Sequence, residues 1–188
     1  MSKNILAFGA SSSRQSINKA FATFAAHQVA DTEVTLLDLN DFEMPIYSID
    51  KEKEQGIPAL AQQFKQHIRE ADGIVISFAE HNSSYTAAFK NIYDWISRIE
   101  KSVWLDKPLL LLSTSPGGRG GKTVLQAAID RFTITSNCPI FSFSLPHFKT
   151  NFSPENGILD ADLKAKFEQA LASFEEALVG ETSEVNAE

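Results

Sequence analysis

The sequence predicts an α/β fold in which helices cover both faces of a parallel sheet. Short apolar runs of strand length alternate with stretches rich in helix-forming residues along nearly the whole chain. Two of these runs, residues 73–78 (GIVISF) and 109–112 (LLLL), are almost entirely apolar and too short for helices. Runs of this kind are typical of parallel strands that are covered on both faces.

The alternation predicts five strands and five helices. The strands are residues 4–8, 33–37, 73–78, 109–112 and 139–143. The helices are residues 17–29, 57–71, 87–98, 122–135 and 162–179. Parallel crossovers between five strands favour a doubly wound, flavodoxin-like three-layer sandwich with strand order 2-1-3-4-5.

One domain is predicted to span residues 1–180, because 188 residues suffice for a single core and no internal boundary is visible. Residues 181–188 (ETSEVNAE) are polar and follow Gly180, which we predict to end the last helix. This final segment is therefore expected to be a disordered tail.

Composition and charge exclude several classes of function. The net charge of −7 argues against broad binding of nucleic acids or anionic membranes, which needs a basic face. No apolar run approaches the roughly 20 residues that span a bilayer, and the first residues lack a signal-peptide pattern. The single cysteine, Cys138, permits neither an intrachain disulfide nor a CxxC redox site. We therefore expect a cytoplasmic protein that binds no nucleic acid and no membrane.

The loop after the first predicted strand has the composition of a phosphate site. Ligands in open parallel sheets bind beyond the carboxyl ends of the strands, where this loop lies. Backbone N–H groups at the start of the next helix would add partial positive charge. The alternative is that the serines merely cap the helix. The loop's polar side chains are Ser11, Ser13, Arg14, Ser16 and Asn18.

Two common phosphate-binding loops are absent from the sequence. Neither GxxxxGK[ST] nor GxGxxG occurs. Their absence disfavours a P-loop nucleotidase and a GxGxxG dinucleotide-binding fold.

The loop after the third predicted strand suits a flat heterocycle. Residues 79–85 place polar and aromatic side chains at the same edge of the sheet. An isoalloxazine ring has a hydrogen-bonding edge and an apolar edge, and His81 and Asn82 fit the first of these. The alternative is a polar loop in which Ser84 or Thr86 caps the next helix.

The loop after the fourth predicted strand, residues 115–122 (SPGGRGGK), is rich in glycine. Because glycine has no Cβ, its backbone N–H groups can approach a ligand closely. We expect this loop to wrap a flat ring, and a flexible surface turn is the alternative.

Taken together, these loops resemble those of the NADPH-dependent FMN reductase family, over about residues 3–179. The family's loops resemble G-S-x-R-x-x-S-x-N, P-E-Y-N-G-S-x-P-x-x-L-K-N-x-x-D-W and S-x-G-G-x-G-G. The residues that match are Ser11, Ser16, Asn18, Glu80, Asn82, Ser84, Lys90, Asn91, Asp94, Trp95, Ser115, Gly117, Gly118, Gly120 and Gly121. Five positions depart from the pattern: Ser13 stands where the family has arginine, and Ala79, His81, Ser83 and Thr86 replace proline, tyrosine, glycine and proline.

The resemblance implies an oxidoreductase that holds FMN, oxidises NADPH or NADH and reduces a small-molecule acceptor, such as a quinone, azo compound, flavin or metal oxyanion. Because the flavin carries the chemistry, no catalytic side chain is implied. The implied FMN-binding residues are Ser11, Ser13, Arg14, Ser16, Ile17, Asn18, Glu80, His81, Asn82, Ser83, Ser115, Pro116, Gly117, Gly118, Gly120 and Gly121.

The sequence also predicts an oligomer and no bound metal. The resemblance, with an apolar stripe on the predicted helix 87–98, implies a homodimer or homotetramer. His27, His67 and His147 have no partners at metal-ligand spacing, so structural roles and no metal are expected.

Two other functional classes compete with the reductase. A flavodoxin-type electron carrier would bind FMN without a nicotinamide site, and its usual loop, T-x-T-G-x-T, is absent. A receiver-type signalling domain needs an acidic cluster after the first strand, where this chain has Gly9, Ala10, Ser11 and Ser12. The reductase is therefore the favoured hypothesis.

Overall fold

Five parallel strands form the central sheet of the computed structural model, which describes residues 2–135 and 137–184, with side chains to residue 180. The strands are β1 Lys3–Ala10, β2 Thr32–Leu37, β3 Gly73–Phe78, β4 Leu109–Thr114 and β5 Ile140–Leu145. Their order across the sheet is β2-β1-β3-β4-β5. The predicted flavodoxin-like topology is thereby confirmed.

Helices join these strands and cover both faces of the sheet. They are α1 Ile17–His27, α2 Ile49–Gln55, α3 Ala59–Glu70, α4 Ala87–Ile96, α5 Lys122–Thr135, α6 Phe148–Asn151 and α7 Ala161–Glu184. A short antiparallel hairpin, β6 Phe152–Ser153 and β7 Gly157–Ile158, precedes α7. The hairpin, α2 and α6 were not predicted. Within the described ranges, no helix is both long enough and apolar enough to cross a bilayer.

The sheet separates two apolar cores, because successive side chains of a strand point to opposite faces. In β1, Leu6 and Phe8 pack with α3, α4 and α5, whereas Ile5 and Ala7 pack with α1 and α7. All the tyrosine and tryptophan side chains belong to or pack against the first core, and the aromatic residues of the second are phenylalanines.

Some predicted boundaries were wrong for reasons of backbone geometry. β1 and β4 continue to Ala10 and Thr114, because the hydrogen-bonded ladder extends past the apolar run. β5 begins at Ile140 rather than at Pro139, since proline has no N–H to donate to a ladder.

The prediction that Gly180 ends the last helix was also wrong. α7 continues to Glu184, and the backbone at Gly180 does not adopt a positive φ. A glycine inside a helix costs about 1 kcal/mol relative to alanine, and the helix is fixed in the preceding turns by the buried Phe174 and Leu178. Residues 185–188 of the predicted tail lie outside the described residues.

Candidate active site

The first loop, residues 11–16, joins β1 to α1 and is held by hydrogen bonds among its serines. Ser16 caps α1, since its Oγ accepts from the N–H of Lys19 at 3.2 Å. Ser11 Oγ accepts from the N–H of Ser13, also at 3.2 Å. Among the described residues, none accepts a hydrogen bond from the backbone N–H of Ile17 or Asn18. The loop therefore caps the helix and also leaves donors at its N-terminus free for an anion.

Asn18 has a structural role that the sequence did not predict. The residue is buried, and its Oδ1 accepts from Ser77 Oγ at 2.8 Å and from the N–H of Thr114 at 3.0 Å. Its Nδ2 donates to the carbonyl of Thr114 at 3.1 Å. Asn18 thus ties the first turn of α1 to the carboxyl ends of β3 and β4, and one amide hydrogen is left for a ligand.

The second loop, residues 79–86, forms a closed turn at the end of β3. His81 and Ser84 exchange two backbone hydrogen bonds of 3.0 Å. Asn82 and Ser83, between them, have φ values of 50° and 62°. Two left-handed residues in this position are characteristic of a type I′ turn, which asparagine followed by glycine adopts with least strain. Ser83 therefore keeps the turn that the family's glycine would form, at a cost in backbone energy.

Two further residues of the second loop connect it to its neighbours. The carboxylate of Glu80 accepts from the N–H of Val124 at 3.0 Å, at the start of α5. Thr86 caps α4 and donates its hydroxyl to the carbonyl of Ala10 at 2.9 Å. The capping prediction is correct for Thr86. These bonds fix the second loop against the ends of β1 and α5.

The third loop, residues 115–121, turns its carbonyl groups into the protein. The carbonyl of Gly117 accepts from the N–H of His147 at 3.0 Å, and that of Gly120 accepts from the hydroxyls of Ser113 and Ser144 at 2.7 and 3.0 Å. No described residue accepts from the N–H of Gly117 or Gly118. The carbonyl groups of the third loop are therefore fixed by hydrogen bonds to the rest of the protein, whereas the N–H groups of Gly117 and Gly118 remain unpaired.

The three loops enclose a cavity of about 290 Å³ at the carboxyl edge of the sheet, which we call the loop cleft. Its volume lies near the lower end of the range of ligand pockets, roughly 300–1,000 Å³. Predicted site residues that line it are Ser11, Ser13, Ser16, Ile17, Asn18, Glu80, His81, Ser115 and Pro116. Gln15, Ala79 and Thr114 also line it and were missed, although all three lie in or beside the predicted loops.

Other predicted residues lie outside this lining. Asn82 and Ser83 are exposed at the tip of the turn, whereas Gly120 and Gly121 are the buried last residues of the third loop. Gly117 and Gly118 lie exposed beside the cleft. Arg14 borders a neighbouring cavity on the α1 and α7 side of the sheet.

Two cations near the first loop differ in their pairing. Lys19 forms an ion pair with Asp38, which follows β2. This hydrogen bond is the main reason why the pKa of Asp38 lies below its usual value, and the N–H of Asn40 adds to the effect. Arg14 forms no ion pair within the described part of the chain. The charge of Arg14 is therefore available to a ligand anion, whereas that of Lys19 is balanced by Asp38.

The match to known families decides the identity of the chain. The family model described as NADPH-dependent FMN reductase matches residues 3–149. The chain belongs to that family. The reductase is thus an oxidoreductase that uses FMN and NADPH or NADH, which agrees with the prediction.

Individual relatives agree with this assignment. The reductase is 28% identical over 160 residues to an NADPH:quinone oxidoreductase of Arabidopsis thaliana, which covers 84% of this chain and 80% of that protein. It is 37% identical over 109 residues to a 2-hydroxy-1,4-benzoquinone reductase of a Burkholderia species, and the alignment spans 57% of each chain. The solved structure of FerB, a flavoenzyme NAD(P)H:(acceptor) oxidoreductase of Paracoccus denitrificans, shares the fold with a TM-score of 0.74 at 19% identity, over 95% of this chain and 98% of that one.

The residues of the loop cleft fit FMN. A phosphate monoester needs several donors, and the start of α1 offers two unpaired N–H groups beside the hydroxyls of Ser13 and Ser16. The hydrogen-bonding edge of the flavin ring needs donors that are fixed in place, and the third loop has these at Gly117 and Gly118.

Proposed function

We propose that the reductase holds FMN in the loop cleft and transfers electrons from NADPH or NADH to a quinone, azo compound, flavin or metal oxyanion. The observation that supports this proposal is the presence of unpaired backbone N–H groups at the start of α1, which lines the cleft, and in the third loop next to it. The similarity to the Arabidopsis and Burkholderia quinone reductases favours a quinone as the acceptor.

The first loop would bind the phosphate of FMN. The N–H groups of Ile17 and Asn18 would donate to it at the positive end of the helix dipole. Ser16 would act mainly by capping α1, and Ser11 by holding the loop through the N–H of Ser13. Ser13 and Gln15 would add side-chain donors.

The second and third loops would bind the ring. His81 would contact the flavin ring. The carboxylate of Glu80 would fix the start of α5, and with it the third loop, by accepting the hydrogen bond from the N–H of Val124. Bound FMN supplies the redox chemistry, accepting a hydride from the nicotinamide and passing electrons to the acceptor. The N–H groups of Gly117 and Gly118 would stabilise negative charge at the pyrimidine edge of the flavin. The loop would not need to rearrange, because its carbonyl groups are already hydrogen-bonded to the protein.

The proposal is tested with the purified protein in three steps. Its visible absorption should show a bound flavin, NADPH added under nitrogen should bleach it, and a quinone should restore it. Steady-state rates should follow a ping-pong pattern, because both substrates use one cleft in turn. Bound flavin that NADPH leaves oxidised would favour the flavodoxin-type carrier, and failure to bind FMN would refute the assignment of the cleft.

The phosphate assignment has its own test. Several donors to one phosphate, each worth about 1 kcal/mol, should make FMN bind at least about a hundredfold more tightly than riboflavin. Comparable dissociation constants, measured by quenching of flavin fluorescence, would overturn the role of the first loop.

We also propose a cytoplasmic homodimer. The apolar stripe of α4 does not support the dimer, since Phe89, Ile92, Tyr93, Trp95 and Ile96 are all buried in the protomer. Support comes instead from the segment beside α4, where Ile46 is 78% exposed and the carbonyl of Pro45 accepts from Trp95 Nε1 at 2.8 Å.

A further inference from the structure

A second cavity, larger than the loop cleft, opens on the α1 and α7 side of the sheet. Its volume is about 1030 Å³, and we call it the aromatic groove. It is lined by one side of α1, by the first turns of α7 and by the β6–β7 hairpin. Gln15, Ser16 and Ile17 line both cavities. The groove therefore begins at the end of the loop cleft where the phosphate of FMN is proposed to lie.

Phenylalanine rings form much of the wall of the groove. The ring of Phe152 lies 5.2 Å from that of Phe24 and 4.8 Å from that of Phe148, between centroids. Phe24 and Phe148 are only partly buried and border the open space. Aromatic faces of this kind stack on nucleic-acid bases with little sequence preference. The wall can accordingly take a flat heterocycle such as adenine.

The β6–β7 hairpin closes one side of the groove, and a glycine permits its position. Gly157 has a φ of +68°, and a Cβ there would lie 2.5 Å from Cζ of Phe24. Any other residue at position 157 would be strained at this φ and would have to displace the ring of Phe24 or the hairpin itself. The groove is thus a built cavity between α1, α7 and a hairpin that packs on both.

Two polar side chains of the lining suit an adenylate, beside the carboxylates of Glu155 and Glu168 that also border the groove. Arg14 lies where the groove meets the first loop and forms no ion pair in the described part of the chain. A guanidinium can bind two phosphate oxygens at once. Further along, Gln28 lines the groove, and its side-chain amide is of the type that pairs with the exposed edge of adenine.

We propose that the aromatic groove holds the adenylate half of FAD, so that the reductase accepts FAD as well as FMN. The proposal rests on the proposed function, since the flavin half would occupy the loop cleft. The second phosphate of FAD would lie beside Arg14, and the adenine would stack on the partly exposed rings of Phe24 and Phe148, which Phe152 supports. NADPH also contains an adenylate, but the groove adjoins the phosphate end of the cleft rather than the third loop, which would hold the ring.

The test measures binding of FMN, FAD and riboflavin to the flavin-free protein by calorimetry. FAD should bind at least as tightly as FMN. Ala20 is exposed on α1 and lines the groove. Ala20→Phe should fill the groove, weakening FAD by about tenfold or more while FMN changes by less than about twofold. Arg14→Ala should likewise weaken FAD more than FMN.

Ala172→Phe is the matched control, because Ala172 is exposed on α7 but does not line the groove. It should leave both affinities unchanged. FAD binding about tenfold or more weaker than FMN, or an Ala20→Phe variant that binds both flavins as before, would overturn the proposal. The proposal would also be overturned if Ala20→Phe raised the KM for NADPH of the FMN-loaded enzyme and left the affinity for FAD unchanged. That result would assign the groove to NADPH. Failure to bind FMN at all would instead refute the proposed function.

Discussion

The imidazole of His147 occupies the space that a side chain at Gly118 would need. A Cβ at position 118 would lie 2.9 Å from Nε2 of His147. The backbone of His147 also donates to the carbonyl of Gly117 at 3.0 Å. The connection from β5 to α6 therefore supports the third loop through both its backbone and its ring.

Gly118→Ala should displace this imidazole and loosen the third loop. We expect FMN affinity to fall by a few-fold, and His147→Ala in the same chain should recover most of the loss. The expected coupling free energy is about 0.5–1 kcal/mol for residues in direct contact. His147 has a φ of 49°, and the backbone strain of this conformation is present with either histidine or alanine at position 147. The double-mutant cycle formed by Gly118→Ala and His147→Ala therefore measures the contact between the two side chains. Strictly additive effects on the dissociation constant would contradict the contact.

Ser83→Gly should stabilise the protein. Glycine adopts the positive φ of 62° at this position without the penalty that serine has. We expect the free energy of unfolding in urea to rise by about 1 kcal/mol. Ser84→Gly serves as the control, since Ser84 has no positive φ and should lose stability on becoming glycine. Equal effects of the two substitutions would refute the type I′ turn.

Asn18→Ala should destabilise the fold by about 2–4 kcal/mol. It removes three hydrogen bonds and leaves the buried polar groups of Ser77 and Thr114 without partners. Ser77→Ala removes only one of these bonds and should cost about 1 kcal/mol. FMN and riboflavin binding should weaken together in Asn18→Ala, because the whole loop moves. A loss confined to FMN would show instead that Asn18 acts directly on the phosphate.

Tyr85→Phe should raise stability and remove a sensitivity to alkali. Among the described residues, none forms a hydrogen bond with the buried hydroxyl of Tyr85, and burial raises the pKa of this phenol to about 12 from 10.0. Between these values the unfolded chain loses the proton and the folded chain keeps it. Stability that is present below pH 10.0 therefore falls as the pH rises towards 12, by on the order of 1 kcal/mol per pH unit.

Denaturant unfolding across this pH range compares the unmodified protein with Tyr85→Phe, so that other groups cancel. Tyr47→Phe is the control at neutral pH, because Tyr47 donates its hydroxyl to Glu52 at 2.9 Å and should lose stability on truncation. A Tyr85→Phe variant that is less stable than the unmodified protein would show that the hydroxyl has a partner.

Ile46→Glu should convert the proposed dimer to a monomer. A carboxylate in the centre of an apolar interface leaves a buried charge without a partner. Light scattering should give half the mass of the unmodified protein. Ile134→Glu is the matched control, since Ile134 is 79% exposed on α5 and should not change the mass. A monomeric mass for the unmodified protein would end the dimer proposal.

The sheet and the positions of the loops could be predicted because they follow from local patterns. Continuous apolar runs identify buried parallel strands, and the topology then places the loops after β1, β3 and β4 at one edge. The details of the site depend on long-range contacts. The bonds of Asn18 to Ser77 and Thr114 join residues 59 and 96 positions apart, and no local pattern contains them.

The placement of Arg14 shows the same limit on a smaller scale. The first loop contains both Arg14 and Gln15, yet Gln15 lines the loop cleft and Arg14 lines only the aromatic groove. Which side chain faces which cavity is set by the cap at Ser16 and by the start of α1. Similarly, His147 lies after β5 at the same sheet edge, and only its contact with Gly118 reveals its importance.

Because tyrosine and tryptophan side chains occur only in the first core, their spectroscopic signals report on one side of the sheet and not on the other. Trp95 and Trp104 both lie in the core beneath α3, α4 and α5, and Tyr93 stacks on Trp104 at 6.1 Å between centroids. Tryptophan emission and the tyrosine and tryptophan bands of near-ultraviolet circular dichroism will therefore follow that layer. Loosening of α7, whose core contacts are phenylalanine and aliphatic side chains, will leave these bands unchanged, and amide exchange is the method that detects it directly.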